Sequence, residues 1–181
     1  MKTITKQIEL YSFDELDEKA KANALKEEAD DVMTNGLWFL EDDLNERLHE
    51  LLIENGIQDL NDTSKPNTKP TKVYYSLNYC QGDGCMFEGN FVWNGLNVTI
   101  KHSGRYYHSN SKTIEIESPI EEDTEKAEKD FEDIYQTICK TLVRYGYDTI
   151  EDASSEARAI ENFTDNEATF LKSGERYFEN N

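Results

Sequence analysis

Apolar residues recur at helical spacing over two stretches near the start of the chain. In residues 37–54 the spacing of the leucines predicts an amphipathic helix. In residues 12–33, Ser12 and Glu15 form a capping box, a pattern that begins helices. An Asn-Gly pair follows each stretch and predicts where each helix ends. The leucines of the apolar face are Leu37, Leu40, Leu44, Leu48 and Leu51.

The middle of the chain, residues 73–117, alternates apolar with polar residues and predicts an antiparallel meander of about four strands. Its clearest turn is Asn94-Gly95, a strong signal for a type I′ hairpin. This turn places Trp93 opposite Leu96 and gives the hairpin one apolar face.

The turn before that hairpin is Gln-Gly-Asp-Gly at residues 81–84, called the QGDG turn below. A three-residue loop, 82–84, places Tyr79 opposite Phe87 and keeps the apolar faces of the two strands on one side. A loop with an even number of residues mixes the faces. We therefore predict the three-residue loop, with a glycine in the left-handed conformation.

The last third of the chain predicts two more helices and a small hairpin. Ser118 and Pro119 cap a third helix, which we expect to end at Gly146. A fourth helix is predicted over about residues 148–162, and a hairpin in residues 167–178.

These elements predict an α+β fold, with helices packed on one face of the antiparallel sheet. The length of 181 residues predicts a single domain, 1–181. Residues 61–71 contain two prolines and no apolar residue, and predict a flexible loop between the N-terminal helices and the sheet.

The charge is large and unevenly distributed. With 19 basic and 38 acidic residues, the formal net charge is −19. Residues 41–62 carry −7 and residues 114–133 carry −8, whereas residues 63–113 carry +4. Direct binding to DNA, RNA or an anionic membrane needs a basic surface, so this charge argues against those partners.

Two rows of carboxylates follow the predicted helices. We call Asp43, Glu46, Glu50 and Glu54 the first acidic stripe. We call Glu121, Glu125, Glu128 and Glu132 the second acidic stripe. Steps of three to four residues place a carboxylate about every 5–6 Å of helix axis. A DNA strand carries a phosphate about every 3.4 Å, so two such stripes side by side would approach the charge density of DNA.

Other candidate residues lie in loops of the predicted sheet. The glycines of the QGDG turn would let a ligand approach the backbone, and Asp83 would bind a cation or a basic side chain. Arg105, Tyr106 and Tyr107 form a second candidate, since Arg and Tyr are enriched at binding hot spots. An ordinary turn and an ordinary connecting loop are the alternative interpretations.

No local motif predicts a catalytic centre, a cofactor or a metal site. The predicted register puts Cys80 and Cys85 on opposite faces, which argues against a shared zinc with His102 and His108. The three cysteines do not predict a disulfide framework, and no secretory or membrane-spanning segment is recognisable. These features favour the cytoplasm.

Three stretches of the sequence resemble segments of other proteins. YSFDELDEKAKANAL at 11–25, YYSLNYCQGDGCMFEG at 74–89 and TFLKSGERYF at 169–178 resemble segments of a group of small uncharacterised accessory proteins of phages and mobile elements. The resemblance implies an accessory protein acting in a bacterial cytoplasm. It implies no activity of its own, although acidic phage accessory proteins include inhibitors of host defence such as anti-CRISPR proteins.

Charge and resemblance together predict a phage-encoded protein that binds and inhibits a basic, nucleic-acid-binding host defence protein. A CRISPR effector nuclease is the most specific partner we expect, inhibited by blocking its nucleic-acid groove or allosterically. A small-ligand or metal-binding module using the QGDG turn, with or without enzymatic activity, stays open as an alternative. So does an antitoxin-like partner of a basic protein. The exposed edges of the predicted sheet could pair with a second copy of the chain, so a dimer is a further alternative.

Overall fold

A computed structural model describes residues 7–61, 70–118 and 124–178. The helices are α1 (Glu18–Asp31), α2 (Leu40–Glu54), α3 (Glu125–Ala153) and α4 (Glu156–Asp165). The strands are β1 (Ile57–Asp59), β2 (Val73–Ser76), β3 (Gly84–Phe87), β4 (Gly89–Trp93), β5 (Leu96–His102), β6 (Lys112–Glu117), β7 (Thr169–Phe170) and β8 (Arg176–Tyr177). The contacts divide the chain into two compact units, described separately below. The single domain predicted from the length stays a prediction.

Unit 2, Phe39–Asp148, contains the predicted antiparallel sheet. Four strands pair in the order β1-β4-β5-β6, which confirms the α+β class. The Asn94-Gly95 turn is also confirmed: both residues have positive φ, 50° and 80°, and Trp93 lies opposite Leu96. This conformation matches the right-handed twist of the strands that it joins.

The core of unit 2 forms where α3 packs its aromatic residues on the strands. Phe131 lies 5.4 Å from Trp93, and Tyr135 lies 4.7 Å from Phe87, measured between ring centroids. The Tyr135 hydroxyl donates a hydrogen bond to the carbonyl of Phe87 at 3.2 Å and accepts one from its N–H at 3.4 Å. A fully buried tyrosine thus keeps its polar atom satisfied. The leucines of α2 add a second apolar surface: Leu40, Leu44, Leu48, Leu51 and Leu52 are buried. Four of these were predicted. The predicted Leu37 instead lies in a 3₁₀ turn before α2 and is half-buried, and Leu52 was not predicted.

The predicted register around the QGDG turn is wrong. Phe87 pairs with Val73, not with Tyr79, so β2 and β3 form a separate two-stranded sheet joined by residues 77–83. The chain turns earlier than expected because the Asp83 carboxylate accepts hydrogen bonds from the backbone before the turn. Side-chain bonds of this kind compete with strand pairing, and alternation alone does not reveal them.

The sequence analysis also missed one strand of the four-stranded sheet. β1 is only three residues long, Ile57–Asp59, and pairs antiparallel with β4. It begins directly after Gly56, which has a φ of 67° and ends α2. The predicted loop 61–71 follows β1, and its residues 62–69 lie outside the described residues. Its two ends are joined by a hydrogen bond from the Asn61 amide to the Thr71 hydroxyl.

The predicted break between the third and fourth helices is wrong as well. α3 continues without interruption for 29 residues, through Gly146, to Ala153. Gly146 serves packing rather than termination, because a Cβ there would collide with the end of the Leu77 side chain. α4 begins later than expected, capped by Ser155, whose hydroxyl accepts a hydrogen bond from the N–H of Arg158 at 3.2 Å. The predicted cap at Pro119 and Glu121 lies outside the described residues.

Unit 1 comprises Met1–Trp38 and Thr149–Asn181. Alanines form much of its buried core. The Ser12–Glu15 capping box is confirmed, but it caps a short 3₁₀ turn, and α1 begins only after Asp17. The small side chains of α1 allow close packing against α4. The predicted C-terminal hairpin is confirmed as β7 and β8. The buried residues of this unit are Leu16, Ala20, Ala24, Ala159, Phe163, Ala168 and Phe170.

The turn of the C-terminal hairpin makes a testable prediction. Gly174 has a φ of 88°, and a Cβ there would collide with the backbone carbonyl of Ala20. We expect Gly174→Ala to lower the free energy of unfolding by about 2–4 kcal/mol, because both the backbone conformation and the close approach exclude a side chain. Urea denaturation measures the change.

The matched control is Gly82→Ala, because a Cβ at Gly82 would meet no other atom within 4 Å and the residue does not have a positive φ. We expect it to change the free energy of unfolding by less than about 0.5 kcal/mol. Equal stability of the two variants would contradict the packing of the hairpin on α1.

Candidate functional site

The first acidic stripe lies on the outer face of α2. Glu46, Glu50 and Glu54 are exposed, and Asp43 is half-buried. Arg47 lies among them and pairs with Glu50 at 2.6 Å and with Glu54 at 3.1 Å. The four predicted carboxylates therefore lie along one face of α2, and Arg47 pairs with two of them. The stripe retains a surplus of negative charge.

Part of the charge on α2 has a structural explanation. Glu41, Asp42 and Asp43 occupy its first turn, where carboxylates interact favourably with the positive end of the helix dipole. Glu41 also approaches the ammonium of Lys72 at 3.6 Å. No such dipole benefit applies to Glu46, Glu50 and Glu54, which lie beyond the first turn.

The second acidic stripe does not form one continuous surface. Glu121 lies outside the described residues, and Glu125 and Glu128 are exposed in the first turn of α3. Glu132 instead accepts hydrogen bonds from Lys112 of β6 and from Gln136. Burial opposes ionisation of Glu132, but these two hydrogen bonds outweigh it and lower the pKa of the carboxyl.

Glu132 should therefore contribute to stability more than to a binding surface. The Lys112 side chain is only 9% exposed, so removing its partner leaves a nearly buried charge. We expect Glu132→Lys to lower the free energy of unfolding by about 3 kcal/mol, measured by urea denaturation. Glu128→Lys, on an exposed position of the same helix, is the control and should cost less than about 1 kcal/mol. A similar loss in both variants would argue against the structural assignment of Glu132.

Asp83 organises the loop that carries the QGDG turn. Its carboxylate accepts hydrogen bonds from the N–H of Asn78 at 2.8 Å and of Cys80 at 3.0 Å, and from the Cys80 thiol at 3.1 Å. The Tyr147 hydroxyl of α3 donates a further hydrogen bond. Burial opposes ionisation of Asp83, but the bonds from Tyr147, Cys80 and Asn78 outweigh it and lower the pKa to about 2. The carboxylate is thus engaged within the loop rather than directed at a ligand.

A cavity of about 430 Å³ lies beside this turn, between β3 and α3. Two buried thiols, Cys85 and Cys139, line it, and burial raises the pKa of each to about 12. Thiols with so high a pKa are protonated at neutral pH and poor nucleophiles. Gln136, another lining residue, already donates hydrogen bonds to the Ser109 carbonyl and to Asn110. The two thiols and Gln136 therefore offer little chemistry to a ligand.

The low pKa of Asp83 makes its stabilising effect depend on pH. An unfolded aspartate titrates near pH 4, so the stabilisation is complete above about pH 4 and is lost as the pH falls towards 2. We expect Asp83→Asn to lower the free energy of unfolding by about 1–2 kcal/mol at pH 7, and by less near pH 2. Urea denaturation at both pH values tests this.

The control for this experiment is Asp165→Asn, on an exposed carboxylate at the end of α4. It should change the free energy of unfolding by less than about 0.5 kcal/mol at either pH. A loss for Asp83→Asn that is the same at pH 2 and pH 7 would contradict the ionised, hydrogen-bonded state of Asp83.

The loop 103–111 presents the third group of candidate residues. Tyr106 is 58% exposed and Tyr107 is 42% exposed, and the Arg105 guanidinium lies 5.5 Å from the centre of the Tyr106 ring. Tyr107 stacks on Tyr74 of β2 at 5.4 Å between centroids. Tyr74 is a contact that sequence analysis missed, because the wrong register hid the proximity of β2 to this loop.

The described parts of the chain were compared with the geometry of a metal site and of a membrane-spanning helix. In residues 7–61, 70–118 and 124–178, no three or more His, Cys, Asp and Glu side chains are grouped to hold a metal ion. The cysteines are free thiols, with Cys80 exposed. Within the same residues, no helix has both the length and the apolar composition needed to cross a bilayer.

No protein-family model, curated protein or solved structure gives a significant match to this chain. The resemblance to phage accessory proteins stays a prediction.

Proposed function

We propose that this protein binds a basic, nucleic-acid-binding protein of a bacterial host and inhibits it. The observation that carries the proposal is the first acidic stripe, four carboxylates along one face of α2, of which Arg47 pairs with two, Glu50 and Glu54. Such a surface attracts a Lys/Arg-rich groove over a distance and raises the rate of association.

The charge arrangement favours this function over the alternatives. The carboxylates beyond the first turn of α2 are exposed and gain nothing from the helix dipole, which suits an electrostatic contact with a partner. By contrast, the Asp83 carboxylate of the QGDG turn is used inside its own loop, which gives a small-ligand or metal-binding function little support. An antitoxin-like role would use the same acidic surface against a different basic protein.

The finer part of the proposal concerns the partner. We propose that the protein is encoded by a phage, acts in the bacterial cytoplasm and binds a host defence protein. A CRISPR effector nuclease is the first candidate to test. The acidic surface would occupy the groove that normally receives nucleic acid, or would bind elsewhere and inhibit allosterically. Competition with DNA for the nuclease distinguishes the two modes.

The test is affinity capture of a purified nuclease, followed by charge reversal. We expect Glu46→Lys with Glu50→Lys to weaken binding at least about tenfold, because each change turns an attraction into a repulsion. Binding of the unaltered protein should also weaken as salt is raised. Biolayer interferometry at two salt concentrations measures both effects.

The matched control is Glu151→Lys with Asp165→Lys, which changes the net charge by the same amount on exposed positions of unit 1. We expect it to alter affinity less than about threefold, through net charge alone. A second test pair, Glu125→Lys with Glu128→Lys, asks whether the start of α3 contributes. If neither test pair weakens binding more than the control, the electrostatic proposal is refuted.

A further inference from the structure

Unit 1 contains a cavity of about 370 Å³ with a mixed aromatic and acidic lining. α1 and α4 form two of its sides, and the C-terminal hairpin forms the third. A cavity of this volume is at the small end of ligand pockets, which suits a single side chain. Its lining residues are Ala24, Glu27, Glu28, Asp31, Phe163, Phe170, Gly174, Glu175, Arg176 and Phe178.

The aromatic side of the cavity already holds one cation. Phe163 and Phe170 are buried, whereas Phe178 at the rim is 67% exposed. The Arg176 guanidinium lies 5.8 Å from the centre of the Phe163 ring and 5.3 Å from that of Phe178. At these distances the ring faces attract a cation, so the wall of the cavity is suited to ammonium and guanidinium groups.

The carboxylates of the cavity outnumber its cation. Arg176 bonds to Glu28 at 3.3 Å, and the Glu28 side chain, only 13% exposed, also accepts a hydrogen bond from the Asn162 amide. Glu28 and Arg176 therefore neutralise each other. Glu27, Asp31 and Glu175 remain as three exposed carboxylates on the lining.

Glu28 and Asp31 lie in the last turn of α1, which contains no basic residue. The backbone stays helical beyond Asp31, as a π-helix over Val32–Gly36. Asp31 accepts a hydrogen bond from the Asn35 amide at 2.9 Å, and Glu27 accepts one from the Asn23 amide at 3.1 Å. These donors are neutral, so both carboxylates keep their negative charge at the cavity.

We propose that this cavity binds the side chain of an arginine or lysine presented by a protein partner. The apolar stem would lie against the exposed Phe178 ring, and the charged head would face Glu27 and Asp31. The inference rests on the proposed function, since it names the side-chain chemistry by which the same basic partner would be recognised. It assigns that recognition to a second surface, separate from the first acidic stripe.

The test uses short capped peptides, so it does not depend on which host protein is bound. The probe is acetyl-Gly-Arg-Gly-amide, and its control is the citrulline peptide, which has nearly the same shape without the charge. Titration of the ¹⁵N-labelled protein, followed by NMR, should shift the amide signals of Gly174, Glu175 and Phe178 in a saturable way. We expect the citrulline peptide to bind at least about tenfold more weakly.

Variants locate the binding in the cavity. Glu27→Gln with Asp31→Asn should weaken the arginine peptide about fivefold to tenfold, through loss of two facing charges. Asp30→Asn is the matched control, because Asp30 is in the same turn of α1 but does not line the cavity and pairs with Lys26. It should change affinity less than about twofold. Phe178→Ala tests the aromatic contact without touching the buried rings.

Three results would overturn the proposal. Equal binding of the arginine and citrulline peptides would show that charge is not recognised. Shifts spread over all acidic helices, equally weakened by Asp30→Asn, would show general attraction only. Spermidine shifting the same amides at lower concentration than the peptide would reassign the cavity to a small polyamine. If the peptide experiment fails but Glu46→Lys with Glu50→Lys still weakens binding to the nuclease, the proposed function stands without the cavity.

Discussion

The contact between Phe87 and Tyr135 holds unit 2 together. The Tyr135 hydroxyl donates a hydrogen bond to the carbonyl of Phe87 and accepts one from its N–H, and these two bonds fix α3 against β3. Phe87 in turn packs edge-to-face on Phe91 of β4, at 5.8 Å between centroids, and so links the two-stranded sheet to the four-stranded one. A buried hydroxyl without these partners would cost about 1–3 kcal/mol, so helix, strand and sheet are constrained to one arrangement.

The acidic residues fall into groups with different physical roles. Those in the first turns of α2 and α3 stabilise the helix that carries them. Glu132 neutralises a nearly buried lysine, and Asp83 shapes a loop. Glu46 and Glu50 lie beyond the first turn of α2, and Glu27 and Asp31 lie near the end of α1. All four are exposed, and these are the surfaces to which we assign binding. A count of net charge cannot separate these groups.

The sequence predicted local features better than those set by tertiary contacts. The Asn94-Gly95 register, the Ser12 capping box and the terminal hairpin each depend on neighbouring residues, and all three are confirmed. Gly146 was misread because its role depends on Leu77, which is distant in sequence. The QGDG register failed because Asp83 bonds to the backbone. Of the candidate site, the stripe on α2 was predictable from spacing, whereas Arg47 pairing and the cavity of unit 1 were not.

The three cysteines differ in a way that has a practical consequence. Cys85 and Cys139 are buried, with pKa values raised to about 12, whereas Cys80 is exposed on the loop beside the QGDG turn. A thiol-reactive dye should therefore modify the native protein at one position, without any engineered cysteine. Because the Cys80 thiol donates a hydrogen bond to Asp83, a label there would also remove one of the bonds that hold this loop, whereas the bond from Tyr147 would stay.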